Sequence, residues 1–293
     1  LIVGGTGFIG YHLAKESLKK GWKVTSISTR KPRKIRKLKK VNYIFCDITN
    51  KKSLKKKIKK SFDYVVNLGG HVNHSNKLKT FKSHYLGCIN LTELFYNKPP
   101  RSFVQIGSSG EYGKINSPHK EFYKCYPISK YQKAKYLSSK HLMKIAKDKK
   151  FPVVVLRLYQ AYGPYQDLNR FIPIIVKNCL DKKKFPCSAG KQFRDFLYIK
   201  DVVNAIIKSL LIKKAQGNII NIGSGKSLNI KKIIQHIKSL TGGGLPQFGQ
   251  IKLRKDEALN VYPNIMKAKK KLGWRPKISF EKGIRDTIKY YAK

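Results

Sequence analysis

The sequence of 293 residues predicts an α/β fold, in which helices cover both faces of a parallel sheet. Short apolar strands alternate with helical stretches along most of the chain, which is typical of this class. A glycine-rich turn separates the first strand from the first helix, and prolines interrupt the alternation later in the chain. These observations predict a doubly wound parallel sheet of Rossmann type with a smaller, discontinuous C-terminal lobe.

The individual elements are predicted from β-branched or apolar runs and from apolar residues at helical spacing. Strands are predicted at residues 1–3, 23–28, 43–45, 64–68, 103–106, 153–158 and 219–222, and helices at residues 8–20, 51–59, 81–96, 129–147 and 199–212. The first strand is already under way at residue 1, so we expect a few residues to precede it. Gly21 stands where a glycine would end the first helix.

The division into domains follows from the places where this alternation is interrupted. Glycines and prolines break the pattern after Tyr159, and the pattern changes again after Gly223, although the strand before Gly223 still resembles the sheet. We therefore expect a sheet domain of residues 1–160 plus about 195–222, and a smaller lobe of residues about 161–194 plus 223–293.

The turn after the first strand has the sequence GGTGFIG at residues 4–10, which contains both the GxxGxxG and the GxGxxG patterns. It lies between a predicted strand and a predicted helix, the context in which such glycines bind a dinucleotide. Glycine is needed because backbone amides at the helix N terminus approach a pyrophosphate closely, and a Cβ atom would hold the phosphate away. The residues predicted to bind the cofactor here are Gly4, Gly7, Phe8, Ile9 and Gly10.

The end of the second predicted strand bears on the choice between NAD and NADP. An acidic residue about 20 positions after the glycines would bind the ribose hydroxyls of NAD, and this chain has none there. Instead, Ser28, Thr29 and Arg30, followed by Lys31 and Arg33, offer hydroxyls and cations that suit a 2'-phosphate. We predict NADP, with NAD as the second choice, since a cation at any position is unsurprising in so basic a chain.

Further cofactor contacts are assigned to the ends of later strands. Asp47, after the strand at 43–45, is placed to reach the adenine amino group; the alternative is that it caps the helix beginning near Lys51. Ile48 and Leu68 are assigned to the same cofactor site.

Three YxxxK spacings follow one another at residues 126–130, 131–135 and 136–140. Pro127 moves the first tyrosine out of helical geometry, and Tyr136 is rotated by roughly 140° from Tyr131 around the helix. Tyr131 and Lys135 share one helix face, where the ammonium lowers the pKa of the phenol and makes it a general acid or base. We predict that both are catalytic and contact the cofactor.

A hydroxyl partner is predicted after the strand at 103–106, where the sequence continues Gly107-Ser108-Ser109. Ligands of open α/β sheets bind at the carboxyl ends of the strands. Ser108 is therefore predicted to be catalytic, binding a substrate oxygen while Tyr131 moves the proton and a nicotinamide moves the hydride. Each feature by itself is a common surface pattern, but with the glycine turn they form three parts of one mechanism.

Seven segments carry a resemblance to a known family: GGTGFIG (4–10), GSSGEYG (107–113), PISKYQKAK (127–135), RLYQAYGP (157–164), RDFLYIKDV (194–202), NIGSG (221–225) and LGWRP (272–276). From residue 1 to about 290 the chain resembles the extended short-chain dehydrogenase/reductase family, mostly NAD-dependent epimerases, dehydratases and reductases of nucleotide sugars. The family's proline-x-serine-x-tyrosine pattern selects Tyr131, and counting back four residues from Tyr112 selects Ser108. The resemblance implies that the smaller lobe binds a nucleotide-diphosphate sugar.

The same resemblance implies further substrate contacts. Arg194 and Arg254 match arginines that hold the diphosphate in relatives, a role that suits the guanidinium fork. Gln160 stands where some epimerases carry an asparagine beside that diphosphate, and Asn169 is assigned to the sugar pocket. An ordinary salt bridge, notably between Arg194 and Asp195, is the alternative for the arginines.

The chain departs from the family pattern at several positions. Ser109 and Gly110 replace the aspartate and glutamate that sugar 4,6-dehydratases use to eliminate water, so dehydration is not expected. His84 replaces a common asparagine, and Gly69-Gly70 replaces a common alanine pair, next to the expected nicotinamide.

The composition is strongly basic, with 64 lysine and arginine residues against 15 acidic ones and a formal net charge of +49. Such a surface attracts polyanions. However, the lysine runs at 51–60 and 267–271 alternate with apolar residues at helical spacing, as solvated helix faces do, and aromatic residues do not interleave with them. We therefore favour a compositional bias over nucleic-acid binding.

The cellular compartment, metal binding and oligomeric state are predicted from weaker features of the sequence. Five scattered cysteines without a CxxC pair favour a reducing, cytoplasmic location, and no apolar run approaches the roughly 18 residues that cross a bilayer, so no membrane partner is expected. His71 and His74 have a metal-like spacing without an evident third ligand, so no metal is predicted. Many relatives dimerise through helices that include the one carrying Tyr131, and by that analogy we expect a homodimer.

Two functions of different class follow from these signals. The first is an NAD(P)-dependent enzyme acting at a hexose carbon, expected to be C4, of a nucleotide sugar. It is either a 4-ketoreductase that consumes NADPH or a 4-epimerase that recycles a bound nicotinamide, and the basic end of the second strand slightly favours the reductase. The alternative is a protein that binds RNA or DNA through its +49 surface on a dinucleotide-binding fold.

Overall fold

The structure, a computed structural model, describes residues 1–71, 75–253 and 257–292. Its strands are β1 (Ile2–Val3), β2 (Val24–Ser28), β3 (Val41–Phe45), β4 (Tyr64–Asn67), β5 (Ser102–Ser108), β6 (Val153–Leu158), β7 (Gln160–Tyr162), β8 (Lys184–Pro186), β9 (Phe193–Arg194), β10 (Phe196–Tyr198), β11 (Asn218–Ile222), β12 (Leu228–Asn229), β13 (Leu245–Gln247) and β14 (Asn260–Val261). Its α-helices are α1 (Phe8–Lys19), α2 (Lys51–Lys57), α3 (Lys77–Phe81), α4 (Gly87–Leu94), α5 (Lys130–Lys149), α6 (Phe171–Leu180), α7 (Ile199–Leu211), α8 (Ile230–Thr241), α9 (Met266–Leu272) and α10 (Phe280–Tyr291). Short 3-10 helices lie at Lys34–Arg36, Ser109–Tyr112 and Lys213–Ala215, and a π-helical turn lies at Lys82–Leu86.

Seven strands form one parallel sheet in the order β11-β6-β5-β4-β1-β2-β3. Each of the strands predicted from the sequence belongs to this sheet, so the predicted fold class is confirmed. The strand order reverses at β1, which lies between β4 and β2. In an open α/β sheet such a reversal leaves a crevice at the carboxyl ends of the strands, and ligands bind there.

The core lies on both faces of this sheet. Neighbouring residues of one strand, such as Phe103 and Val104 in β5, belong to two different clusters of buried apolar side chains. This alternation is expected because successive side chains of a strand point to opposite faces. The helices contribute Leu13 of α1 to one cluster and Leu142 of α5 to the other, so helices cover the sheet on both sides.

The later part of the chain adds three small sheets beside the large one. β7 pairs with β10, β9 pairs with β12 and β14, and β8 pairs with β13. These strands are two or three residues long and join segments that are distant in the sequence, for example Phe193 with Asn260. They form the smaller, discontinuous part of the fold, whose boundaries in residue numbers remain a prediction.

One helix differs from its prediction. The sequence predicts a helix at 81–96, whereas the structure has α3, the π-helical turn and α4 in succession from Lys77 onward. Asn76 Oδ1 accepts a hydrogen bond from Lys79 N at 2.9 Å and so caps the earlier start. A π turn contains an extra residue relative to an α-helical turn and occurs frequently at functional sites.

The lysine runs lie on solvated helix faces, as predicted. On α2 only Leu54 is buried, and the lysines around it are exposed; on α9 the buried residues are Ala268 and Leu272. Among the described residues, no helix combines the length and the apolar character needed to cross a bilayer. The five cysteines are all free thiols.

Asp195, which lies between β9 and β10, forms hydrogen bonds with the turn after β11. Its carboxylate is fully buried and accepts hydrogen bonds from Ser224 N at 2.7 Å, Ser224 Oγ at 2.8 Å, Gly225 N at 2.7 Å and Lys226 N at 3.2 Å. Burial raises the pKa of Asp195 to about 6 against the effect of these donors. One side chain thus joins the large sheet to the small sheets that flank the cleft.

We expect Asp195→Ala to lower the free energy of unfolding by about 3 kcal/mol, because several partly buried donors lose their acceptor. Urea denaturation measures this difference. Asp63→Ala is the control, since Asp63 is 70% exposed and forms a surface salt bridge with Arg101 at 3.2 Å; such a pair contributes at most about 1 kcal/mol. Equal urea midpoints for the two variants would show that Asp195 does not hold these segments together.

Candidate active site

A cleft of about 1070 Å³ opens at the carboxyl ends of the large sheet's strands. Residues that follow β1 to β6 line it, and so do residues of the small sheets, including Arg194 and Val261. The cleft therefore lies at the crevice that the strand order creates. A pocket for one small ligand usually measures roughly 300–1,000 Å³, so this cleft is at the upper end of the range for a ligand site.

The glycine turn at 4–10 lines this cleft. Gly4 has a φ of 78°, and a Cβ atom on Gly10 would lie 2.4 Å from the Gly4 carbonyl oxygen, so glycine is required for this close approach of backbone segments. Gly7 is the N-cap of α1, and among the described residues no side chain caps this helix end. Because uncapped amides at a helix N terminus attract phosphate, the turn fits the pyrophosphate of a dinucleotide.

Every residue predicted to bind the cofactor lines this same cleft: Gly4, Gly7, Phe8, Ile9, Gly10, Ser28, Thr29, Arg30, Asp47, Ile48, Leu68, Tyr131 and Lys135. Asp47 Oδ1 accepts hydrogen bonds from the N–H and the hydroxyl of Thr49, both at 2.8 Å. The N-cap of α2 is Asn50, which accepts from Ser53 N at 2.9 Å. The helix-capping alternative for Asp47 is therefore wrong.

Two arginines that follow β2 form salt bridges with Asp167, which lies in the segment after β7. Arg33 Nη1 and Arg36 Nη2 each lie 2.9 Å from Asp167 Oδ1. Arg36 is buried and also donates from Nε to the Tyr165 carbonyl at 2.9 Å. Arg33, one of the cations predicted to meet a 2'-phosphate, is thus already paired with a carboxylate, which weakens the sequence argument for NADP.

The three tandem Tyr/Lys spacings differ in burial. Lys130 and Lys140 are exposed, whereas Lys135 is 5% exposed and lines the cleft. Its Nζ donates a hydrogen bond to the Ile106 carbonyl in β5 at 2.7 Å. Burial lowers the pKa of Lys135 to about 8, and the carboxylate of Glu111 opposes this change. The structure therefore holds one of the three lysines at the carboxyl end of β5, where it loses its proton at mildly alkaline pH.

Tyr131 lies one turn before Lys135 on α5 and lines the cleft. Burial raises the pKa of its phenol; hydrogen bonding with the Ser108 side chain lowers it, Glu111 raises it, and Arg170 lowers it. The sequence assigned the lowering to the Lys135 ammonium. In the structure that ammonium bonds a backbone carbonyl, and Arg170 is the cation that lowers the phenol's pKa.

Ser108 ends β5 and caps the short 3-10 helix that follows. Its Oγ accepts a hydrogen bond from Gly110 N at 3.1 Å, and its own N–H donates to Glu111 Oε1 at 2.8 Å. These bonds fix the backbone and the hydroxyl of Ser108 together, in contact with the side chain of Tyr131. The serine, the tyrosine and the lysine thus meet in one cleft with the glycine turn.

Arg194 and Gln160, both predicted to bind substrate, also line the cleft. Arg194 Nη2 lies 2.6 Å from Glu257 Oε1, and its Nη1 donates to the Leu259 carbonyl at 3.0 Å. The carboxylate that pairs with Arg194 is therefore Glu257 and not Asp195, which bonds the turn after β11. The sequence alternative named the wrong acid because adjacent residues in a strand point to opposite sides.

One predicted substrate residue, Asn169, is not brought to the cleft in the part of the chain that the structure describes. Asn169 is exposed and is not among the described residues that line the cleft, while Arg170, the N-cap of α6, does line it. Arg254 lies outside the described residues, as does His74 of the metal-like pair. Among the described residues, no group of three His, Cys, Asp or Glu side chains is arranged to hold a metal ion.

His84 and Gly70 are complementary in shape. A Cβ atom on Gly70 would lie 1.8 Å from His84 Cε1, so the imidazole occupies the space beside this glycine. The His84 ring contacts the Tyr131 ring edge to face, with centroids 5.1 Å apart. The two departures from the family pattern at these positions therefore compensate each other next to the tyrosine.

The sequence interpretation missed four charged residues of the site: Glu111, Arg157, Asp167 and Arg170. Arg157 offered the clearest signal, because it interrupts the apolar strand VVVLRL and a charge in a central strand requires a buried partner. That partner is Glu111, whose Oε2 lies 2.9 Å from Arg157 Nε. The two residues are far apart in the sequence, so no local pattern connects them.

A parallel sheet with a glycine turn at its crevice that fits a pyrophosphate, and with a serine, a tyrosine and a buried lysine in the same cleft, is typical of a dinucleotide-dependent enzyme of the α/β class. The chain belongs to the NAD dependent epimerase/dehydratase family, whose model matches residues 1–223. This confirms the resemblance stated from the sequence motifs and the prediction that the protein is an NAD(P)-dependent enzyme.

Relatives of known name cover nearly the whole chain. The chain is similar to the UDP-glucuronate 4-epimerase of Thermodesulfobacterium geofontis, at 29% identity over 99% of this chain and 95% of that protein. It is similar to the CDP-abequose synthase of Salmonella muenchen, at 26% identity over 98% of this chain and 96% of that protein. Among solved structures, the UDP-glucuronic acid 4-epimerase of Bacillus cereus in complex with UDP-glucuronic acid and NAD has a TM-score of 0.89 at 25% identity, covering 99% of this chain and 98% of that one.

Proposed function

We propose that the protein is an NAD-dependent 4-epimerase of a nucleotide sugar, which oxidises the hexose at C4 and reduces it again on the other face. The observation that carries this proposal is the meeting of Ser108, Tyr131 and Lys135 in the cleft that the glycine turn also lines. Such a group moves a proton at a carbinol, as hydride transfer to a nicotinamide requires. The names of two relatives, both 4-epimerases of UDP-glucuronate, support C4 as the reacting carbon.

Each of the three side chains has a distinct role in the proposal. The Ser108 hydroxyl binds the C4 oxygen and orients it toward Tyr131, whose phenolate accepts the proton of the C4 hydroxyl during oxidation and whose phenol returns it during reduction. Lys135, held by the Ile106 carbonyl, binds the cofactor, and Arg170 is the cation that favours the phenolate. When bound, the dinucleotide supplies the hydride acceptor, and the charge of its oxidised ring favours the phenolate.

The diphosphate of the substrate is assigned to Arg194 and Arg254, with Gln160 beside it. Arg194 is 8% exposed and lines the cleft on the side of the small sheets. A guanidinium in this position binds phosphate oxygens through paired hydrogen bonds. Because Glu257 already pairs with Arg194, the substrate has to share this guanidinium with the carboxylate or displace it.

We propose NAD as the bound cofactor, in place of the NADP predicted from the sequence. Arg33 is paired with Asp167 and is therefore less available to a 2'-phosphate. The epimerase of Bacillus cereus was solved with NAD. Arg30 still lines the cleft, and this cation favours a second candidate, an NADPH-dependent 4-ketoreductase of a nucleotide sugar.

Product analysis by NMR separates the two candidates. We expect the purified protein to interconvert a UDP-hexose or UDP-hexuronate and its C4 epimer without added reductant, and to release NAD when it is denatured. Turnover only with a 4-keto nucleotide sugar and added NADPH would establish the reductase instead. Binding of RNA at high salt, without turnover of any nucleotide sugar, would overturn both and favour the polyanion-binding alternative.

The assembly and location of the protein remain predictions of the proposal. We propose a homodimer, which sedimentation equilibrium tests directly. The free state of all five cysteines is consistent with a reducing compartment and supports the proposed cytoplasmic location.

A further inference from the structure

A buried ion pair lies beneath the catalytic serine. Glu111 is 0% exposed and Arg157 is 3% exposed, and Glu111 Oε2 lies 2.9 Å from Arg157 Nε. The guanidinium also lies over the Tyr112 ring, 4.5 Å from its centre. Two charges are costly to bury unless each finds close partners, and the chain has only 15 acidic residues in total. A fully buried carboxylate at this position calls for a specific role.

The carboxylate is bonded to the site on its other side. Glu111 Oε1 accepts the hydrogen bond from Ser108 N at 2.8 Å, so one side chain joins the serine backbone to Arg157 of the neighbouring strand β6. The Glu111 carboxylate fits in this position because residue 107 is a glycine. A Cβ atom on Gly107 would lie 2.5 Å from Glu111 Oε1. The Ser108 backbone is thus held by the Glu111 carboxylate, which is itself held by Arg157 of strand β6.

The same carboxylate acts on the other two residues of the group. The charged or polar groups that face Lys135 or Tyr131 in the described structure are the Cys88 thiol on α4, the Ser108 hydroxyl, the Glu111 carboxylate, the Arg170 guanidinium and the His84 ring. Of these, Glu111 raises the pKa of both Lys135 and Tyr131. The groups that interact with Arg157 in turn are Glu111, Tyr112, His119, Glu121, Cys125, Tyr159 and Lys267.

We infer that Glu111 and Arg157 are positioning residues of the reaction: the Glu111 carboxylate, fixed by Arg157, holds the Ser108 backbone and keeps the Lys135 ammonium charged during turnover. This inference rests on the proposed function for its kinetic part, because it assigns the pair to the same proton transfer. Neither residue is among the described residues that line the cleft, so the pair acts through Ser108 and Lys135.

Two measurements test the inference. The first is the pH profile of kcat for Glu111→Gln, which removes one negative charge near Lys135. Because that charge favours the ammonium, its loss moves the alkaline fall of activity to lower pH, by about one pH unit. Glu93→Gln is the matched control: Glu93 is a partly buried carboxylate that pairs with Lys51 Nζ at 2.6 Å and is not among the described residues that line the cleft. Its profile is expected to match the wild type.

The second measurement is amide hydrogen exchange, which does not depend on activity. Glu111→Leu removes the acceptor of Ser108 N, so exchange in the segment 107–112 is expected to become at least tenfold faster, while the first half of β5 stays protected. If the wild type turns over no nucleotide sugar, the proposed function fails and exchange still decides the positioning role.

Specific outcomes overturn the inference. An unchanged alkaline limb in a folded Glu111→Gln protein shows that the carboxylate does not act on Lys135. Unchanged exchange in Glu111→Leu shows that the serine backbone is held without it. If Glu111→Leu does not fold, exchange in Glu111→Gln replaces it, since an amide facing both Ser108 N and Arg157 Nε satisfies only one of these donors.

Discussion

Replacing Tyr131 with phenylalanine is expected to lower kcat by about 10²- to 10⁴-fold, the usual contribution of a positioned general acid or base. The phenol is the group that contacts the Ser108 side chain in the cleft, and removing its hydroxyl leaves no proton carrier beside the substrate oxygen. The ring remains to pack against His84, so the fold is expected to survive. Steady-state kinetics with a UDP-sugar and circular dichroism measure the two effects.

Tyr136→Phe is the matched control for this prediction. Tyr136 lies on the same helix, five residues further on, and is not among the described residues that line the cleft. It belongs to the third YxxxK spacing, so its substitution tests whether the choice among the tandem pairs is correct. Near wild-type activity of Tyr131→Phe, or an equal loss in Tyr136→Phe, would contradict the assignment.

Replacing Lys135 with methionine is the second change of large expected effect. We expect kcat to fall by about 10²- to 10⁴-fold, because the cofactor loses a contact and the site loses the positive charge held at the carboxyl end of β5. Methionine has nearly the same length, so it fills the buried space that Lys135 occupies. Lys140→Met, at an exposed position on the same helix, is the control and is expected to retain activity.

The pH dependence gives this second prediction a direction. Burial lowers the pKa of Lys135 to about 8, so wild-type activity is expected to be present below that pH and to fall as the lysine loses its proton above it. The residual activity of Lys135→Met should lack this alkaline limb, whereas Lys140→Met should keep it. An identical limb in Lys135→Met would assign that titration to another group.

The large sheet could be predicted almost completely, because each of its strands is a short run rich in β-branched or apolar residues and bounded by turn residues. The alternation of Phe103 and Val104 between two core clusters shows why such runs are apolar throughout: both faces are buried. The small sheets could not be predicted. Their strands are two or three residues long, and the pairing of Phe193 with Asn260 depends on the path of the chain between them.

In the candidate site, too, the features formed by residues close in sequence could be predicted, and those formed by residues far apart in sequence could not. The glycine turn and the i, i+4 pair of Tyr131 and Lys135 are local patterns, and sequence spacing predicts their placement on one turn or one helix face. Burial then distinguishes Lys135 from its two exposed neighbours in the tandem. The ion pair of Glu111 with Arg157 joins residues 46 positions apart, so it depends on the pairing of β5 with β6.

The choice between NAD and NADP could not be predicted reliably, because the sequence does not show which arginines are already paired in the folded chain. Arg33 stood at a position suited to a 2'-phosphate, but Asp167, which approaches from a segment more than one hundred residues later, pairs with it in the folded chain. In a sequence with 64 basic and 15 acidic residues, the position of the few carboxylates decides which cations remain available. That position is a property of the fold and not of local sequence.

The central claim is that hydride leaves C4 of a sugar beside Ser108, Tyr131 and Lys135, and isotopic labelling tests it most directly. A UDP-hexose with deuterium at C4 is mixed with the NAD-loaded protein, and the cofactor and products are analysed by mass spectrometry after a rapid quench. We predict deuterium in the reduced fraction of the cofactor and its return to C4 of the epimerised product. Turnover with an unlabelled cofactor, or loss of the C4 label to solvent, would contradict the account.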